Sequence, residues 1–169
     1  MSVMLANSEW SFASADEALT YVSKRGLTAF AGLTAPQVDP FLTIAREYMD
    51  ATYEWDGSIT SLDQATSWPR TGVTDKEGRT IASDAIPEQV KQAQIELAIA
   101  AEANSNRILD NAGAAGVKSV KAGSVSVTFS ADSIPSEAQR FLLADRLVAQ
   151  FIQSRLGASN ISFAGIVRS

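Results

Sequence analysis

Trp68-Pro69-Arg70-Thr71-Gly72-Val73-Thr74-Asp75-Lys76-Glu77-Gly78-Arg79-Thr80-Ile81-Ala82-Ser83-Asp84-Ala85-Ile86-Pro87-Glu88-Gln89-Val90 is a long irregular connection that carries large apolar residues and ends in a helix start. Connections of this length inside a compact domain are uncommon and are either functional or disordered. Trp68, Val73, Ile81 and Ile86 argue for order, since disordered segments are poor in aromatic and β-branched residues. Gly72 and Gly78 permit turns, and Pro69 restricts the backbone of Trp68 to extended conformations. The reading is an ordered, packed loop over residues 54–86 that feeds a long helix, with Trp55, Trp68, Pro69, Gly72, Gly78 and Pro87 as its bracing positions.

Outward from this loop the pattern is mainly helical. Ser14 and Glu17 form a capping box before a first helix, expected over residues 15–25, with Gly26 at its left-handed stop. Asp39-Pro40 reads as an N-cap with proline in the first turn, giving a second helix over 40–53. A start at Thr34 is the alternative, but Pro40 would then interrupt the helix. The third helix, expected over 87–110, is about 24 residues or about 36 Å long. Its main apolar face includes Val90, Ala93, Leu97 and Ala101, while Ile95 and Ile99 fall on the opposite, polar side. Either a protein partner or another part of the same chain must cover those two isoleucines.

Val125, Val127 and Phe129 alternate with Ser126 and Thr128, so residues 117–129 read as a β-hairpin. A fourth helix, expected over 136–156, carries one apolar stripe through Phe141, Leu142 and Val148, and a second through Leu143, Leu147 and Phe151. Asp145 lies within the first stripe and needs a partner, because burying it unpaired is costly. The remainder is an extended tail, 158–169, with Phe163, Ile166 and Val167 suited to docking and Arg168 beside them. The expected class is therefore mainly α: four helices, a hairpin and a tail, with residues 1–157 as one domain.

Composition narrows the chemistry. The 169 residues include no cysteine and no histidine, which removes thiol nucleophiles, disulfides, serine–histidine triads and the common zinc sites. The acidic cluster Asp50, Glu54 and Asp56 reads as a solvated helix end rather than a metal or acid–base site. Gly113-Ala114-Ala115-Gly116 lacks the lysine and spacing of a phosphate loop. No enzyme motif, cofactor or metal is expected, and no apolar run is long enough to cross a membrane. The first nine residues lack the basic start and apolar block of a signal peptide, which predicts a cytoplasmic start. Net charge is −5, the wrong sign for gripping nucleic acid unless cations gather on one face. Arg70, Lys76, Arg79, Lys118 and Lys121 could form such a face, with Trp55 and Trp68 stacking bases.

The ordered series from Tyr48-Met49-Asp50-Ala51-Thr52-Tyr53-Glu54-Trp55-Asp56-Gly57 through Gln64, Trp68-Pro69-Arg70-Thr71-Gly72-Val73 and Ile86-Pro87-Glu88-Gln89-Val90 to Glu96-Leu97-Ala98 resembles the head-tail adaptor, or head-completion, proteins of tailed bacteriophages. Members of that group often carry the label DnaT-like single-stranded-DNA-binding protein. The resemblance implies a non-enzymatic virion protein of the neck, assembled in the host cytoplasm as a homo-oligomeric ring, commonly twelve-fold. Such a ring meets the portal protein on one side and tail or neck proteins on the other, and genomic DNA passes through its channel without sequence-specific binding. Arg70, Arg79, Ile95, Ile99, Leu143, Leu147, Phe151, Phe163, Ile166, Val167 and Arg168 would then lie at subunit or portal interfaces. The alternative from the same label is a single-stranded-DNA-binding protein of a phage replication system.

Overall fold

The computed structural model describes residues 10–105, 119–122, 125–128 and 136–155, with side chains described for 10–105 and 140–153. In chain order the elements are α1 (Ala15–Lys24), α2 (Ala35–Thr52), β1 (Tyr53–Trp55), β2 (Ser58–Ile59), β3 (Arg70–Thr71), α3 (Glu88–Ala103), β4 (Ser119–Ala122), β5 (Val125–Thr128), α4 (Ser136–Val148), a 3-10 turn (Ala149–Phe151) and β6 (Ile152–Arg155). The described residues are mainly helical, with strands paired two by two as β1–β6, β2–β3 and β4–β5. None of the described helices is long and apolar enough to cross a membrane.

Local chemistry explains the helix starts. The Ser14 hydroxyl accepts from the Glu17 amide at 3.2 Å, and the Glu17 carboxylate accepts from the Ser14 amide at 2.7 Å. α2 begins earlier than residue 40. Thr34 is its N-cap, and the Gln37 side chain accepts from the Thr34 amide at 2.9 Å. Pro40 sits inside the helix and forfeits one backbone bond. The extra turn nevertheless forms, because it buries Val38 completely in line with Leu42 and stacks Phe41 on Phe30 with ring centroids 6.0 Å apart.

The third helix is shorter than its pattern predicts. Pro87 is the N-cap of α3, and the helix stops at Ala103, where the Asn104 side chain donates to the Ala100 carbonyl at 2.8 Å. Ser105 then takes a left-handed backbone at φ 54°, which no helix continues. Residues 106–110 of the expected helix lie outside the described residues.

α3 is the centre of the fold. It packs against α2 on one side and α4 on another, and also touches α1. That answers the question posed by Ile95 and Ile99, which are 2% and 4% exposed. The chain itself covers both faces of α3, and burying each isoleucine contributes about 1.5–3 kcal/mol.

α4 also ends before its predicted stop. Phe141, Ala144 and Val148 form its buried stripe, whereas Leu142 is 41% exposed and Leu143 and Leu147 are half-buried. After Val148 the chain tightens into the 3-10 turn, which drives Phe151 into the core, and then extends as β6. β6 runs antiparallel to β1, pairing Trp55 with Ile152 and Tyr53 with Arg155 across a bulge at Glu54/Trp55. A strand was favoured over more helix because β1 otherwise leaves an open backbone edge beside the core. The hairpin forms as β4 and β5, with Val120 opposite Val127 and Ala122 opposite Val125.

The 54–86 loop is not irregular throughout. β2 and β3 pair as Ser58 with Thr71 and Ile59 with Arg70, and Thr74 bridges Thr80. Gly57 is the tightest point: a Cβ there would lie 2.3 Å from the Thr71 carbonyl oxygen and 2.8 Å from Val73 Cγ2, at φ +68°. Gly78 has a similar φ of +80° but open space around it. Gly78→Ala should therefore cost only the left-handed penalty, about 1–2 kcal/mol. Gly57→Ala should cost clearly more, because the backbone of β3 must move. Urea unfolding of the two variants side by side checks this; equal losses would mean the close approach at Gly57 constrains nothing.

Candidate nucleic-acid interface

The two tryptophans offered by the sequence as stacking platforms are core residues. Trp55 is 6% and Trp68 1% exposed. They belong to a run of edge-to-face rings: Phe12 on Trp55 at 6.3 Å, Tyr53 on Trp55 at 5.5 Å, Trp55 on Trp68 at 5.6 Å and Trp68 on Phe151 at 5.8 Å. Neither indole nitrogen has an acceptor among the described residues, so ring packing holds the cluster. Phe151, a candidate for subunit contact, is likewise spent inside the chain.

Arg70 is also an internal brace. Its guanidinium donates to the carbonyls of Asp56 at 2.6 Å, Gly57 at 2.8 Å, Ser67 at 3.1 Å and Trp55 at 3.4 Å. Those bonds tie the segment entering β2 to the segment entering β3, and burial lowers the arginine's pKa. Gln64 closes the same region by donating to the carbonyls of Thr66 and Pro69, and the Trp68–Pro69 bond is cis. Asp50 is held by protein partners: Ser67 donates to one of its oxygens, Arg46 lies 3.4 Å from the other, and burial raises its pKa. No group of carboxylates among the described residues could hold a metal ion. Asp145, which needed a partner, accepts from the Tyr53 hydroxyl at 2.7 Å.

Arg79 is 72% exposed but locally neutralised. Its side chain bonds Asp75 at 2.8 Å and Glu77 at 3.2 Å. The Asp75 carboxylate also accepts from the amides of Arg79 and Glu77, which holds it below the usual carboxylate range. This turn is pinned to the 3-10 turn after α4, where the Gln150 side chain accepts from the Lys76 amide at 3.0 Å. Phe163, Ile166, Val167, Arg168 and Lys118 lie outside the described residues, and Lys121 is placed only as a member of β4.

The basic face is elsewhere, where α1 ends beside α4. Glu96 of α3 is 1% exposed and sits between two arginines. Arg25 Nη1 donates to its Oε1 at 2.9 Å, and Arg140 Nη1 donates to its Oε2 at 2.6 Å. Tyr21 adds a hydroxyl bond to Oε1 at 2.8 Å, and Arg25 also donates to that hydroxyl while lying 5.2 Å from the Tyr21 ring centre. Burial, and then the bond to Glu96, pushes the Tyr21 pKa up to about 12, so the phenol stays a donor at neutral pH. The arginine side chains are 46% and 23% exposed, and exposed Lys24 precedes Arg25. Two arginines thus flank one buried carboxylate. Sequence reading missed this site, since no local pattern shows which distant side chains meet Glu96. The exposed aromatic was missed too: Trp10 is 60% exposed and borders a cleft of about 220 Å³ with Ser11, Asp39 and Thr43.

A family model described as "Putative DnaT-like ssDNA binding protein" matches residues 3–169. The chain belongs to this DnaT-like family. No curated protein and no solved structure matches it. The family description corrects the head-tail adaptor reading: the match is to single-stranded-DNA binding, not to a structural place in a virion neck beneath a portal. The fold removes part of that reading's support as well, since Ile95, Ile99, Phe151 and Arg70 are satisfied inside one DnaT-like chain and need no ring to cover them.

Proposed function

We propose that this protein binds single-stranded DNA, gripping the backbone at the face formed by Lys24, Arg25 and Arg140. The observation that carries this reading is the DnaT-like match over residues 3–169. The face supports it physically. Two arginines on one glutamate leave a local surplus of one positive charge, and exposed Lys24 adjoins Arg25 in sequence, in a chain whose net charge is −5. Acidity elsewhere opposes indiscriminate adhesion to phosphate and confines attraction to this patch. Base stacking, the second ingredient of single-strand binding, falls to exposed Trp10 rather than to Trp55 or Trp68.

Fluorescence anisotropy with labelled oligo(dT) of about 20 nucleotides tests the reading. With three phosphate contacts, the logarithm of affinity should fall with the logarithm of salt at a slope of about −2, from about 0.7 per contact on single strands. No binding at about 50 mM salt, or equal preference for duplex of the same length, would reject single-strand binding as the function.

A further inference from the structure

We infer that Arg25 and Arg140 form a preorganised clamp for one backbone phosphate, with Glu96 as the residue that positions both guanidinium groups. The inference rests on the single-strand reading and goes further, since it assigns a phosphodiester site and distinguishes fixed geometry from mere positive charge.

Three observations carry it. First, the two arginines come from separate elements, the end of α1 and the first half of α4, and meet on opposite oxygens of one carboxylate. A carboxylate almost completely removed from water accepts only strong partners, so each guanidinium is held where Glu96 dictates. Second, both arginines reach Glu96 through Nη1 alone. Nε and Nη2 of each have no partner among the described residues, and both side chains keep contact with solvent. Third, one carboxylate cannot neutralise two guanidinium groups, so the cluster on buried Glu96 keeps a surplus positive charge. Paired planar donors with a surplus positive charge suit a tetrahedral phosphate oxyanion, which can take a two-pronged bond from either fork. A purely structural ion pair would need only one arginine. The Tyr21 ring and hydroxyl give Arg25 a second restraint.

Contact with a phosphodiester reads no base, so the clamp serves sequence-tolerant binding. Free phosphate offers the same oxygens and must be separated from the DNA backbone. Oligo(dT) affinity is therefore measured for the wild type, Arg140→Lys, Glu96→Gln and Arg146→Lys, with circular dichroism on each and with inorganic phosphate as competitor. Arg140→Lys keeps the charge and loses the fork; a clamp predicts about tenfold weaker binding. Glu96→Gln adds a positive charge to the site but releases the geometry. A clamp predicts weaker binding, and simple attraction predicts tighter binding. Arg146→Lys, exposed in the last turn of α4, should leave affinity unchanged.

If the wild type binds and Arg140→Lys, with native circular dichroism, binds equally well, the clamp is overturned while single-strand binding stands. If the wild type does not bind, both fall. Competition by millimolar inorganic phosphate that Arg140→Lys relieves would confirm a phosphate site. Failure of phosphate to compete, together with weakened oligo(dT) binding by both variants, would assign the clamp to the DNA backbone.

Discussion

Gln94→Leu is expected to destabilise the protein by at least about 3 kcal/mol, although it replaces a polar side chain with an apolar one of similar size in a fully buried position. Gln94 is the junction between α3, α2 and the segment preceding α1. Its Oε1 accepts from the amides of Phe12 at 3.1 Å and Ala13 at 2.8 Å. Its Nε2 donates to the Ser11 hydroxyl at 2.7 Å and the Leu42 carbonyl at 2.8 Å. All four capacities of the amide are used, and only this orientation sets donor against acceptor at every contact. Leucine fills the space but strands two backbone N–H groups and one carbonyl away from water. Each stranded group costs about 1–3 kcal/mol. Against a typical total stability of about 5–15 kcal/mol, that loss is large. Urea denaturation followed by circular dichroism should show a lower midpoint with little change in slope. A loss below about 1 kcal/mol would mean that water enters and replaces the amide.

Trp68→Ala is expected to cost about 3–5 kcal/mol, the usual penalty for removing a large aromatic side chain from a core. The ring is 1% exposed and contacts Trp55 and Phe151 edge-to-face, so its loss opens a cavity between β1 and the 3-10 turn. Each lost aromatic pair adds about 0.5–1.5 kcal/mol beyond buried area. The same variant separates two roles for this residue. As a core ring, Trp68 should affect stability and leave the DNA affinity of the folded protein unchanged. As a stacking platform, it should affect affinity even at temperatures where the variant remains folded. Thermal melts paired with oligo(dT) titration well below the variant's transition decide between them.

Much of the fold was legible because it is encoded locally. The Ser14–Glu17 capping box announces α1, and the alternation around Val125 and Val127 announces the hairpin. The anchors of the 54–86 loop marked it as ordered, and Asp145 in an apolar stripe signalled a required partner, which proved to be Tyr53. Pro40 misled by the same local logic. A proline penalty is visible in sequence, while the burial of Val38 that outweighs it depends on where α3 lies. β1 and β6 were invisible because a strand of three or four residues has no period to detect, and their pairing joins positions about a hundred residues apart.

By itself the sequence determined the mainly helical class, the starts of α1, α3 and α4, the ordered loop and the lack of histidine and cysteine chemistry, since each depends on residue type and on neighbours within about four positions. Only the tertiary structure decided that Trp55 and Trp68 are core, that both faces of α3 are covered, and that Arg70 is an internal brace. It alone brought Arg25 and Arg140 to Glu96 across sequence separations of 71 and 44 residues. The physical reason is that a buried charge is defined by the groups that surround it. No local pattern records which distant side chains the folded chain carries to that place.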